Sequence, residues 1–336
     1  MSLATETEPS LLAPRFGWLA GLLLIGGVLL AVTHRAEERE IARLLREAQP
    51  AWLLAAAALQ AATYGCAAGV WHRALALGGV TVPFRRLVPL ALAKLFTDQA
   101  VPSAGISGTL LVVRALERRG VDRDHAVAAV VTGLLAFYLG YLVATVLAVR
   151  ELASRGEMPT ALLLPVAGLC ALAVGLPLAV VVLRRKARGR SEGWLEHWPG
   201  ARDIAAALRA STGRAFLAPR TLAETTLLQL GVFALDALTL DATLRAVASP
   251  LPLPAVFASF VLASVVSTLA WVPGGLGTFE ASAVALLHLQ GASVESALAA
   301  TLLLRALTFW VPMLPGVVLA HRETARRPGR EVSRAC

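Results

Sequence analysis

The segment Trp271-Val-Pro-Gly-Gly-Leu-Gly-Thr-Phe-Glu280 interrupts a long apolar stretch, and it restricts what this chain can fold into more than any other part of it. Proline removes a backbone donor and glycine loosens a helix. At bilayer depth the freed backbone groups must be met by protein or by water in a cavity. A carboxylate three residues past the last glycine is costly there and marks a functional position. A related interruption, Val101-Pro-Ser-Ala-Gly-Ile-Ser-Gly108, stands earlier in the chain. Two broken apolar segments in matching places of two halves are the pattern of a transporter-type site.

The surrounding sequence sets the class. The chain is 57% hydrophobic with a mean hydropathy of +0.68, far from a soluble domain. Several apolar runs approach or exceed the roughly 20 residues that span a bilayer. The expected fold is an all-α polytopic membrane protein with about six full spans and two broken segments. A membrane β-barrel would alternate polar and apolar residues instead. The predicted spans are 16–33, 50–70, 125–149, 160–183, 221–247 and 294–320, with broken regions at 87–113 and 255–290. The first span reads as an anchor and not as a cleaved signal, since its N-tail holds one base, Arg15, and no convincing small-residue cleavage site follows. The net charge of +9 is mostly loop arginine, which fits positive-inside topology better than nucleic acid binding. Cys66, Cys170 and Cys336 show no metal or disulfide spacing, and no cofactor motif is present.

Loop charge chooses between topologies. If both broken segments are re-entrant hairpins and the N-terminus is cytoplasmic, the cytoplasmic pieces 1–15, 71–86, 114–124, 184–220 and 321–336 hold 22 Lys/Arg, against six outside. If both are single crossings the count is 11 inside against 17 outside. The rule favours hairpins that enter from opposite faces. A shift of 171 residues lays 50–149 on 221–320 and Pro102 on Pro273. Each unit is then a span, a broken hairpin and a span, in opposite orientations, as in inverted-repeat transporters. The predicted organisation is a cytoplasmic N-tail 1–15, a transmembrane domain 16–320 with a basic cytoplasmic linker 184–220, and a cytoplasmic C-tail 321–336. Residues 35–49 read as a short amphipathic helix on the outer surface. Within the linker, Ile204, Ala205 and Leu208 share a helical face downstream of Trp194 and Trp198, an interfacial helix or a solvated linker.

Charges inside apolar regions are the candidate site residues: Lys94, Asp98, Glu224, Asp236, Asp241, Glu280 and Arg305, with Arg114 at the end of the first hairpin. Lys94 and Asp98, four apart, share a helical face and can pair. With Thr278 opening the returning helix, Glu280 sits in its first turn, where the helix dipole favours a negative charge. That is one role for it; facing a cavity and pairing with a cation is the other. Arg305 lies mid-span and needs a partner, and Glu280 is the first choice. Arg114 mirrors it from the other half as a planar donor to phosphate, or is an ordinary positive-inside residue. Asp236 and Asp241, about 140° apart around a helix, do not share a face closely. His125 and His288 have no metal spacing and read as packing or interfacial residues. No Walker lysine, Ser/His/Asp set or HExxH occurs, so nothing points to an enzyme.

Pro273-Gly-Gly-Leu-Gly-Thr-Phe-Glu280 resembles the signature of the lysylphosphatidylglycerol synthase transmembrane region, or flippase-like, family. Pro102-Ser-Ala-Gly-Ile-Ser-Gly108 with Arg114 resembles its first motif, departing from the commoner glycine-rich form at Ser103 and Ala104. The resemblance covers nearly the whole chain. It implies a lipid-translocating membrane domain of a bacterial cytoplasmic membrane. Pro273, Gly274, Gly275, Gly277 and Glu280 would then form an outer broken loop, and Pro102, Gly105, Gly108 and Arg114 an inner one. Some family members carry a soluble aminoacyltransferase domain; here the expectation is a stand-alone member, since only residues 321–336 follow the last predicted span. The expected partners are membrane lipids, and possible further ones are lipid-biosynthesis enzymes. A small-solute transporter and a non-transporting accessory subunit of a lipid-synthesis complex are the alternatives.

Overall fold

In the computed structural model, residues 35–100, 106–156, 159–188, 218–270 and 272–325 are described. Among them the chain is helical. An N-terminal helix α1 (Arg35–Arg46) leads into α2 (Pro50–Leu77), α3 (Phe84–Ala100), α4 (Ile106–Glu117) and α5 (Arg123–Ser154). A 3₁₀ turn and α6 (Leu163–Arg188) follow. The second half runs through α7 (Pro219–Ala246), α8 (Leu253–Leu269), α9 (Thr278–Leu289), α10 (Val294–Arg305), a π-helical turn over Ala306–Trp310 and α11 (Val311–Ala325). Among the described residues four helices are long and apolar enough to cross a membrane: Pro50–Leu77, Arg123–Ser154, Pro219–Ala246 and Val294–Glu323. The protein is an all-α polytopic membrane protein. The expected 160–183 span falls on the 3₁₀ turn and α6, where the shorter apolar helical stretch is Thr160–Gly175. The first span, the N-tail, the C-tail beyond Ala325 and the 194–208 segment lie outside the described residues.

The two halves share one plan. Helices α2 and α7 are both 28 residues long, α3 and α8 both 17, and α4 and α9 both 12. In the first half the last element is the 32-residue α5; in the second, α10, the π turn and α11 run 12, 5 and 15 residues, together the same length. The most extensive helix–helix contact is α2 on α7. Its register is antiparallel: Gln49 N–H donates to Ala246 O, Cys66 lies at Gly231, Gly69 at Leu228, and Arg73 at Glu224. Equivalent helices that pack antiparallel place the two halves upside down relative to each other. The remaining contacts repeat with exchange of halves: α3 packs on α11, and α8 on α5.

Each half also contains a short pair of helices with a break at its turn. At about 1.5 Å per residue, α3 and α8 extend about 25 Å, and α4 and α9 about 18 Å, each short of the roughly 30 Å hydrocarbon core. Phe96 of α3 packs against Gly316 of α11, and Leu111 of α4 clusters with Ala93 and Ala320. Beyond α4, Arg119 bonds Glu323 near the end of α11 through two contacts, at 2.5 and 3.0 Å. Phe84 and Glu117, the outer ends of the pair, therefore lie at the same end of the bundle. The main core is built of α5, α7, α8, α9 and α10 around Tyr141, Phe233, Leu240, Leu262 and Leu287, and Ile41 and Leu44 of α1 pack onto it. The amphipathic pattern of 35–49 thus forms a helix, α1, whose apolar face is used against protein.

Candidate functional site: two clamped helix breaks

The second break is built from three left-handed glycines. Gly274 and Gly275 both have φ 63° and Gly277 has φ 81°. A side chain is excluded for a second reason at two of them. A Cβ on Gly275 would lie 1.7 Å from Ser267 Oγ, and one on Gly274 would lie 2.6 Å from Phe309 Cε2. The loop is therefore pressed between α8 and the π turn. From Thr278 the chain is helical again, and Glu280 turns back so that its Oε2 accepts the Gly277 N–H at 2.6 Å. This is half of a capping box, meeting one of the free donors at the new helix start.

Arg305 closes the arrangement. Its Nε donates to Glu280 Oε1 at 2.6 Å, and Nη2 donates to the Gly274 carbonyl at 2.7 Å. The guanidinium lies 4.8 Å from the Phe309 ring centre and 5.4 Å from that of Phe279. The side chains of Arg305 and Glu280 are 13% and 10% exposed, so the pair is largely shielded. Glu280 meets Arg305: one of its oxygens caps a helix and the other binds that cation. The π turn begins directly after Arg305 and contributes Phe309, which packs on the loop. Such turns often occur at functional sites.

The first break has the same logic with different residues. Lys94 Nζ donates to Asp98 Oδ2 at 2.5 Å, and Asp98 Oδ1 accepts the Gly108 N–H at 3.0 Å. A Cβ on Gly108 would fall 2.2 Å from that oxygen, so glycine is what admits the carboxylate. Ser107 Oγ donates to Thr97 O at 3.3 Å across the same turn. In each half a carboxylate binds a backbone amide beyond the break and a base holds the carboxylate. The base here is Lys94 and not Arg114, which is exposed on the last turn of α4. Pro102 and Gly105 lie outside the described residues, and Pro273 opens the 3₁₀ turn of the second break. Helix α3 packs against the Pro273–Gly275 turn.

The two aspartates of α7 separate. Asp241 is bound by Arg245 at 2.7 Å, and Arg245 lies over Trp52, so this group belongs to the helix end. Asp236 lies at mid-helix against α2, beside Gln60 and Tyr64. Glu224 is held by Arg73 (Nε, 2.8 Å) and Arg220 (2.9 Å). His288 contacts the Ala292 carbonyl at 2.8 Å near the end of α9, and His125 lies 3.5 Å from Asp122. Two features escape sequence reading. Phe309 follows Arg305 by four residues, a spacing that signals contact on a helix. The pair of Arg119 and Glu323, 9% and 8% exposed, carries no local signal because 204 residues separate its members.

Among the described residues no cluster of three His, Cys, Asp or Glu stands ready for a metal. No curated protein matches the chain. The sequence matches the family described as the lysylphosphatidylglycerol synthase TM region over residues 18–316, which takes in every helix and both breaks up to the middle of α11. A multi-pass membrane protein with clamped breaks in two opposed halves, it belongs to that lipid-related family.

Proposed function

We propose that the protein moves a lipid with a charged headgroup between leaflets of a bacterial cytoplasmic membrane, and that it does so without catalysing a covalent reaction. The observation that carries this reading is the pair of carboxylate-clamped helix breaks in oppositely oriented halves, with α3 packed against the second. Irregular backbone inside a membrane is tolerated where protein or a water-filled cavity satisfies it, and both breaks satisfy theirs with a carboxylate–base pair. In this reading α3–α4 and α8–α9 are re-entrant hairpins from opposite faces, with the breaks near the midplane. The polar atoms of the two turns offer a path for a headgroup while acyl chains stay in lipid. Arg114, exposed on the arm of the inner hairpin, suits an anionic headgroup such as a phosphate. Both termini are cytoplasmic in this topology, and lipids are the partners, joined where needed by enzymes of lipid synthesis.

Purified protein in vesicles carrying a headgroup-labelled anionic lipid tests the reading. Transfer of the label between leaflets should accelerate with protein and fall in Gly277→Val, which inserts but cannot hold φ 81° without strain. Soluble headgroup analogues should compete weakly. Strong competition would indicate a small-solute transporter, and no transfer in wild type would favour an accessory role.

A further inference from the structure

Three buried oxygens that lack a hydrogen-bond partner come together where α2 crosses α7. They are Gln60 Oε1, Tyr64 Oη and Asp236 Oδ1. Gln60 and Tyr64 are one turn apart on α2, and the antiparallel register brings Asp236 opposite them. The Gln60 carboxamide is the polar neighbour of both other groups, and Asp236 is the acid nearest Tyr64. Gln60 spends its Nε2 on Thr63 Oγ1 at 3.1 Å, and Thr63 Oγ1 in turn donates to Gln60 O at 2.7 Å. Gln60 and Thr63 are 7% and 4% exposed. An oxygen in this state costs about 1–3 kcal/mol if nothing meets it.

The location is as telling as the chemistry. Residues 60–64 are the middle of the 28-residue α2, and Asp236 is close to the middle of the 28-residue α7. Both helices are of spanning length, so the cluster sits near bilayer mid-depth, at the interface of the inverted halves. Coupling-ion sites of inverted-repeat transporters lie in that place, and ionisable groups there serve proton relays.

We propose that Asp236 is a proton-binding site whose loading couples lipid movement to the transmembrane proton gradient. A proton on Asp236 donates to Gln60 Oε1 and meets two of the three partnerless oxygens at once. Tyr64 then donates its hydroxyl hydrogen to the second carboxyl oxygen. Proton loss replaces the donated proton by a charge that draws on the Gln60 amide hydrogens instead, and so rearranges the contact between α2 and α7. Among the described residues no ion pair engages Asp236. Helix α2 contributes Tyr64 as the titratable neighbour. Helix α5 brings Tyr138 and Tyr141, the latter stacked on Phe233. Helix α8 has no ionisable residue, and the ionisable residues of α10 are Glu295 in its first turn and Arg305, bound to Glu280. On α7 itself the charges of Glu224, Asp241 and Arg245 are held near the ends.

The coupling rests on the translocator reading; the proton site does not, and two measurements keep them apart. Infrared difference spectroscopy of the purified protein should show the carbonyl stretch of a protonated carboxylic acid at neutral pH. That band should vanish in Asp236→Asn and shift in Gln60→Leu. A spectrum unchanged by Asp236→Asn would overturn the site. In vesicles, an imposed pH gradient should speed label transfer by wild type, and the gradient-dependent increment should be lost in Asp236→Asn while any passive exchange remains. Transfer that ignores the pH gradient but follows a sodium gradient, or follows neither, would overturn proton coupling. Absence of transfer in wild type, with the infrared band present and sensitive to Asp236→Asn, would refute the translocator reading and the coupling while sustaining the proton site.

Discussion

At the residue scale the second break depends on atoms that leave no room for substitution. Gly275 is both left-handed and pressed against Ser267. Gly275→Ala is expected to cost about 1–3 kcal/mol from backbone strain, before the collision is counted. Adding Ser267→Ala should recover the part due to the oxygen and leave the part due to φ, a split readable by thermal unfolding in detergent. Glu280 and Arg305 form a shielded pair whose members also serve the backbone. Glu280→Gln or Arg305→Gln strands a buried charge at about 3–5 kcal/mol. The double substitution should cost less than the sum of the two, and strict additivity would mean that the pair contributes nothing to stability. Transport should stay lost in the double variant if the pair also handles the headgroup.

At the scale of elements, the short helices are held at their turns by Asp98 and Glu280, and the outer end of α4 is tied to α11 by Arg119 against Glu323. Arg119→Glu and Glu323→Arg should each loosen this pair, and the exchanged double variant should recover most of the loss, as read by protease sensitivity of α4. Because Arg119 and Glu323 touch, the proposed hairpin topology puts residues 114–124 and the end of α11 on one side of the membrane. Cysteines placed at 114–124 and at 321–325 should therefore respond alike to an impermeant thiol reagent. Labelling of one set from outside with the other protected would break the hairpin topology. Predicted and observed elements agree best where hydropathy is high. The last span is found over Val294–Glu323, and within it lies a π turn, since a register change of one residue leaves no trace in average hydropathy.

At the scale of the molecule, the two halves meet along α2 and α7 in a fixed antiparallel register. Cys66 Sγ lies 3.5 Å from where a Cβ on Gly231 would stand. Gly231→Cys, with Cys170 and Cys336 replaced by serine, should therefore cross-link to Cys66 under mild oxidation. After proteolysis within 189–217 the two halves should stay joined on a non-reducing gel. Separation of the halves would refute the register and, with it, the meeting of Gln60 and Asp236.

The sequence by itself determined the class, most of the spans, the positions of both breaks and the repeat, because these follow from local composition and from a spacing of 171 residues. It also made Glu280 the natural partner for Arg305, since an unpaired arginine in an apolar segment demands a nearby carboxylate. The spacing of Lys94 and Asp98 likewise allowed their pairing across one helical turn. Only tertiary structure decided that Asp98 reaches the Gly108 amide beyond the first break, while Arg114 is exposed on α4. The Arg119–Glu323 pair and the cluster of Gln60, Tyr64 and Asp236 were likewise decided in three dimensions. Their members are far apart in the chain, and the inverted packing of two similar halves is what brings them together.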